Sequence, residues 1–178
     1  MTLPEGVILA SVLVILASLA GGAVGQVKLA RQIDQAWLEL RDLHAATMRY
    51  YREYGLWPVE PGAVGDVHLG PRRSNAEAMN RLRAIEGPGN RDHAGNPRRI
   101  DFFSTVLEGR DLTFAFTETG EGLDPWGQPY RMAFDTDFNG VLELSDTYSE
   151  RFPAKGLVVW STGPDREPGT RRDLRSWK

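Results

Sequence analysis

The chain contains no cysteine among its 178 residues. That excludes disulfides, zinc-thiolate centres and cysteine nucleophiles, and leaves packing or an oxygen-ligated ion to hold the fold. Histidine is scarce: His44, His68 and His93 are far apart and fall in no HxxxH or GxSxG frame, so catalysis is not expected. Basic excess is also missing, since the formal net charge is −3, and a nucleic-acid partner is not expected. Finally, no lysine or arginine precedes Lys28. A secretory signal peptide would carry basic residues there, although Ala23-Val24-Gly25 offers the small residues a signal peptidase reads.

What the first twenty-five residues do contain is MTLPEGVILASVLVILASLAGGAVG, in which Glu5 is the single ionisable side chain. From Gly6 to Val24 the run is uncharged, close to the roughly twenty residues a helix needs to cross a hydrocarbon layer of ~30 Å. A membrane-spanning helix is expected. A carboxylate at its edge costs about 2.5–3.5 kcal/mol on insertion scales unless it is protonated, placed among headgroups or neutralised, and an amino terminus could supply the cation. Taken literally, the positive-inside rule puts Lys28 and Arg31 in the cytoplasm, a conflict that a removed basic leader would resolve.

Beyond Gly25 the polarity changes while helical periodicity persists through Leu29, Ile33, Trp37, Leu40, Leu43 or His44, Met48 and Tyr51. One helix from about Leu3 to Tyr54 would be ~75–80 Å long, its first half bare and its second half lying on a globular head. Gly21, Gly22 and Gly25 mark its weakest stretch. Gly55 suits a left-handed C-cap, Pro58 follows, and Trp57 is expected to clasp the helix end.

A Pro/Gly-rich link, 59–73, leads to a short helix over 74–85 with Ser74 and Glu77 spaced as a capping box. Residues 86–99 read as an exposed loop, and 100–107 fits strand or helix. Strands are expected at Leu112–Thr117, Tyr130–Phe134, Val141–Leu144 and Gly156–Ser161. The fold class is therefore α+β, with a long amino-terminal helix packed on a small antiparallel sheet. Its organisation divides into 1–25, a transmembrane half-helix; 26–58, the amphipathic half; and 59–178, the head.

Three motifs together resemble the type IV pilin-like superfamily, specifically the major pseudopilin of type II secretion systems and its relatives. They are Thr2-Leu3-Pro4-Glu5 before the apolar run; Tyr51-Arg52-Glu53-Tyr54-Gly55-Leu56-Trp57-Pro58; and Asp124-Pro125-Trp126-Gly127-Gln128-Pro129-Tyr130, followed by Ser161-Thr162-Gly163-Pro164-Asp165, Asp173 and Ser176-Trp177. The likeness covers 1–58 and 123–178 and leaves 59–122 as a variable region. Met1 stands where relatives carry phenylalanine, and Arg166, Arg171 and Arg172 stand where they are richer in acidic residues and glycine.

The resemblance implies a lollipop-shaped subunit, single-pass in a bacterial inner membrane with its head in the periplasm. It further implies processing and N-methylation at Met1, assembly through Met1 and Glu5 of neighbouring subunits, and contacts with a prepilin peptidase, a secretion platform and other pseudopilins. The implied function is polymerisation into a type II secretion pseudopilus that drives protein export. Two alternatives stay open: a pilus-like or minor pilin-like subunit whose adhesive role resides in 59–122, and a membrane-tethered, calcium-stabilised binding module that does not polymerise.

Calcium has two candidate positions. Asp135-Thr136-Asp137-Phe138-Asn139-Gly140-Val141 with Asp146 follows the spacing of an EF-hand loop, with Asp135, Asp137, Asn139, the Val141 carbonyl and Asp146 as oxygen donors. Strand-like flanks argue against an EF-hand proper, and an Asn-Gly turn accounts for the same residues. By family likeness, Asp165 and Asp173 form the second position, where an arginine–aspartate lattice is the competing reading.

Overall fold

A computed structural model describes residues 3–62, 65–103, 114–144, 148, 150–153 and 156–177, with side chains from residue 25 onward except those of 150 and 153. The fold is α+β. Helix α1 (Leu3–Tyr54) is followed by β1 (Val67–Leu69), α2 (Ala76–Leu82), β2 (Ala115–Phe116), β3 (Gly122–Leu123), β4 (Arg131–Phe134), β5 (Val141–Leu144), β6 (Glu150–Pro153), β7 (Leu157–Ser161) and β8 (Leu174–Arg175). The main sheet is antiparallel throughout in the order β1-β4-β7-β8, while β2-β3 and β5-β6 form separate two-stranded ribbons.

Strand alternation divides the core into two layers. Tyr130, Met132 and Phe134 of the β4 segment join Leu157 and Val159 of β7 on the face that meets α1. The intervening Ala133, Val158 and Trp160 point the other way, onto Leu142 and Leu144 of β5 and Phe152 of β6. A period of two puts neighbours on opposite faces, so burial of both sets means that this sheet is covered on both sides. The β5-β6 hairpin is that second cover.

On α1, residues 25–31 are exposed and burial begins further along. The buried stripe is Ala36, Leu40, Leu43, Ala46 and Tyr50, spaced three or four residues apart. It is rotated from the expected one: Trp37 is 41% exposed and Leu29 39%. Periodicity counted large apolar residues, whereas the contact face uses small Ala36 and Ala46 and includes the buried polar residues Glu39, Asp42 and Thr47. The helix is continuous through Gly21, Gly22 and Gly25. No helix among the described residues is long and apolar enough to cross a membrane; the apolar run at 6–24 lies where side chains are outside the description.

The end of α1 follows the sequence closely. Gly55 has φ +70°, a left-handed conformation that glycine adopts without steric cost, and its N–H bonds to the Tyr51 carbonyl at 2.8 Å. Trp57 is buried, stacks on Tyr51 with ring centroids 4.2 Å apart and donates Nε1–H to the Asp135 carbonyl at 2.7 Å.

Elsewhere the structure corrects the reading. No capping box forms: Ser74 Oγ accepts from the Ala76 N–H at 3.1 Å, while Glu77 turns back to Arg73 at 2.7 Å. Residues 86–99 are largely exposed, as expected, but they are pinned inward at Asn90 and Asn96, which are completely buried. Asn96 donates to the Arg81 and Ile100 carbonyls and accepts from Tyr54 Oη and the Ile100 N–H. Asn90 donates to the Ile85 carbonyl at 2.9 Å, and Asn80 to Pro88 and Thr119 carbonyls at 3.2 Å each. Side-chain amides thus replace the sheet and helix ladders that this irregular region lacks.

Candidate functional site

Three groups of polar residues are held in place by this fold. The first joins helix to sheet. Glu39, 1% exposed, accepts a hydrogen bond from Tyr130 Oη at 2.5 Å and another from Gln35 Nε2 at 2.7 Å. Burial pushes the Glu39 carboxyl above its ordinary range, the two donors oppose the shift, and Asp124 and Asp42 add to it. Tyr130 is pushed up too, by burial first and then by the carboxylate beside it.

Asp124 shows what the Asp-Pro-Trp-Gly-Gln-Pro-Tyr segment does. Its Oδ1 accepts the N–H groups of Trp126 and Gln128 at 3.0 and 2.8 Å, closing a tight turn. Its Oδ2 accepts from Ser161 Oγ at 2.5 Å, and Ser161 in turn accepts the Gly163 N–H at 3.0 Å. The two halves of the third motif are therefore in direct contact. Gln32 of α1 reaches the same turn through the Pro125 carbonyl at 3.0 Å. Burial raises the Asp124 carboxyl above its usual range against the pull of these donors.

The second group is acidic. Asp66, Asp135 and Asp137 each present a carboxylate oxygen within 4.8 Å of the others. Asp135 Oδ2 accepts the Gly140 N–H at 3.0 Å, Asp66 Oδ2 accepts the Glu143 N–H at 2.7 Å, and Asp137 caps the turn through the Asn139 N–H at 3.1 Å. Asn139 Oδ1 accepts the Val141 N–H at 2.7 Å. Asp135 and Asp137 thus lie together with Asp66, whereas Asn139 closes the turn with its Oδ1 engaged by Val141. Val141 opens β5, paired with Pro153, and Asp146 lies outside the described residues. Asp66 was not singled out in sequence. Burial, then repulsion from Asp137 and Asp135, raises its carboxyl.

The third group is the carboxy-terminal loop. Asp173 Oδ2 accepts from Tyr148 Oη at 2.5 Å, the Gly169 N–H at 2.9 Å and Arg175 Nη2 at 3.3 Å. Asp165 accepts from Thr170 Oγ1 at 2.9 Å. With three donors on one oxygen and a buried guanidinium alongside, Asp173 is already engaged; a single arginine–aspartate pair, Arg175 with Asp173, and the Asp165–Thr170 bond hold this loop. The arginine is Arg175, whereas Arg166, Arg171 and Arg172 had stood out in sequence. Arg175 also lies 4.3 Å from the Tyr148 ring centroid, at the edge of a cluster in which Tyr148, Trp160 and Trp177 meet edge to face.

The histidines occupy separate places, on α1, on β1 and in the 3-10 turn Arg91–His93. Met1 lies outside the described residues, and so does the Glu5 side chain. An open cleft of about 1130 Å³ runs between the end of α1 and residues 86–97, lined in part by Tyr54, Trp57, Glu60, Arg81 and Arg91. No protein-family model, curated protein or solved structure matches the chain.

Proposed function

We propose that the chain is a structural subunit of a type IV pilin-like filament, of the kind that forms a type II secretion pseudopilus. The observation that carries this reading is the helix. Helix α1 is continuous over 52 residues; its buried stripe runs from Ala36 to Tyr50, and residues 25–31 stand uncovered next to a run that is uncharged in sequence. On this reading the apolar run of such a helix is matched by lipid or by other copies of itself.

In a bundle of such helices, Glu5 of one subunit pairs with the amino terminus of the next. Breaking a pair of that kind costs about 3–5 kcal/mol, because it strands a charge in apolar surroundings. The helix lies in an inner membrane before assembly, with the head on the periplasmic side; the peptidase, platform and motor are other proteins. The packing of the head supports a rigid carrier, since Glu39–Tyr130 and Gln32–Pro125 fix the helix to the sheet.

The test is mass spectrometry of the native chain from membranes. An amino terminus at N-methylated Met1 is the expected result, and a chain cleaved after Gly25 contradicts the proposal. A second reading, a tethered binding module that does not polymerise, draws on the 1130 Å³ cleft at the helix end. Dependence of self-association on Glu5 separates the two.

A further inference from the structure

Two distant stretches of chain bring three carboxylates together at the edge of the main sheet. Asp66 immediately precedes β1 and Asp135 immediately follows β4; the antiparallel pairing of Val67 with Phe134 sets the two side by side. Asp137 comes from the turn that follows. We propose that Asp66, Asp135 and Asp137 form a binding site for a hard divalent cation, calcium being the best match, and that the bound ion locks Gly65–Asp66 and the β4–β5 turn onto the end of α1.

Unpartnered oxygens carry the proposal beyond proximity of acidic groups. Asp135 is 5% exposed; with Oδ2 engaged by Gly140, its Oδ1 is buried without a hydrogen-bond partner. Asp66 is in the same position, with Oδ2 engaged by Glu143 and Oδ1 buried and unpartnered. A buried polar atom with no partner costs free energy, and two such atoms beside a third carboxylate cost more through repulsion. One cation between them removes both penalties.

Size and ligand type choose the ion. Three oxygens within 4.8 Å of one another lie at most about 2.8 Å from a common centre, which leaves room for calcium–oxygen contacts of 2.3–2.6 Å, and an irregular set of carboxylates on loops suits calcium's flexible geometry better than the near-ideal octahedron that magnesium demands. An all-carboxylate set suits a hard ion rather than zinc or copper. The adjoining cleft of about 380 Å³ is lined by Gly65, Asp66, His68, Asp137, Asn139 and Glu143. It gives water and the ion a route in, and no lysine or arginine among these residues competes for the carboxylates.

The site is joined to the helix end through Asp135 itself. Its main-chain carbonyl accepts Trp57 Nε1–H at 2.7 Å, and the next residue, Thr136, bonds through its hydroxyl to the Gly65 carbonyl. Loading the ion therefore restrains Asp135, the Trp57 clasp and Gly65 together. Nothing in this depends on polymerisation, so failure of the filament reading leaves it standing.

The experiment is calorimetric titration of calcium chloride into the full chain after treatment with chelator, alongside thermal unfolding and tryptophan-sensitised terbium emission. One saturable site per chain is expected, with calcium preferred to magnesium, a raised melting temperature, and terbium emission that calcium displaces. Asp66→Asn and Asp137→Asn each weaken calcium binding roughly tenfold or more. In chelator both variants melt no lower than the parent chain, since they relieve repulsion, and Asp165→Asn leaves calcium binding unchanged. Absence of saturable binding, binding that survives both substitutions, or equal destabilisation by them in calcium and in chelator overturns the proposal.

Discussion

Tyr130 donates its hydroxyl to Glu39 Oε2 at 2.5 Å, tying the start of β4 to the middle of α1 across 91 residues of chain. Both residues are essentially buried, so the bond lies inside the interface that orients the helix on the sheet. Tyr130→Phe keeps the ring and removes the donor, leaving Glu39 with Gln35 as its remaining hydrogen-bond donor in that pair of contacts. A loss of about 1–3 kcal/mol is expected in denaturant unfolding. In the Glu39→Gln background the same change should cost less, and equal costs in both backgrounds would show that the bond does not couple the two residues.

Glu39 also sets a pH dependence. Its carboxyl is raised above 4.5 in the folded chain, chiefly by burial, so the folded state holds that proton more tightly than the unfolded one. The resulting stabilisation is full below 4.5 and fades as pH rises through the raised value. Asp124, raised by burial from 3.8, works in the same direction. Glu39→Gln does not titrate. Its stability relative to the parent chain should be highest at neutral pH and fall as the solution is acidified toward 4.5; a difference independent of pH contradicts this.

Asn96 makes four side-chain hydrogen bonds, to Arg81, Ile100 and Tyr54, more than the other buried asparagines among the described residues. Asn96→Ala strands several buried partners and should cost about 3 kcal/mol. Limited proteolysis should then open residues 86–99 first. Unchanged cleavage rates would mean that the amide network does not hold this segment.

Gly163 has φ +71°, and a Cβ there would meet the Arg172 carbonyl oxygen at 2.2 Å. Gly163→Ala should therefore lower stability by at least about 1–3 kcal/mol from backbone strain, with more from the clash. Thermal unfolding measures it, and a melting temperature equal to that of the parent chain is the contrary result.

Much of the frame could be read from the sequence because local signals and tertiary packing agree there. Gly55-Leu56-Trp57-Pro58 ends the helix by backbone chemistry alone, and β4, β5 and β7 are long enough for apolar alternation to mark them. β1 hides in a Pro/Gly-rich link, and β3 and β8 have two residues each, too few to alternate. Those strands exist because a neighbour offers an edge.

The candidate cation site was half legible for the same reason. Asp135, Asp137 and Asn139 stand in one spacing pattern, whereas Asp66 is a single aspartate in a link, made relevant by the β1–β4 register. Asn90 and Asn96 were read as part of an exposed loop because their residue type is usual there, and Asn75 and Asn80 stood in the expected helix without a buried role. Only the fold reveals that their amides face inward onto main-chain carbonyls. In the carboxy-terminal loop, the arginine that counts lies on β8, two residues from Asp173, where the exposed cluster of three had drawn attention away from it.

The central claim is assembly through the amino-terminal helix, and the natural absence of cysteine makes it directly measurable. Ala10→Cys combined with Ala17→Cys provides two reactive positions in that helix, and oxidation in the native envelope should convert the chain into a ladder of disulfide-linked multimers. Adding Glu5→Ala should abolish the ladder while the head stays folded. A ladder of undiminished length with Glu5→Ala, or none with the parent glutamate, contradicts polymerisation by charge pairing at Glu5.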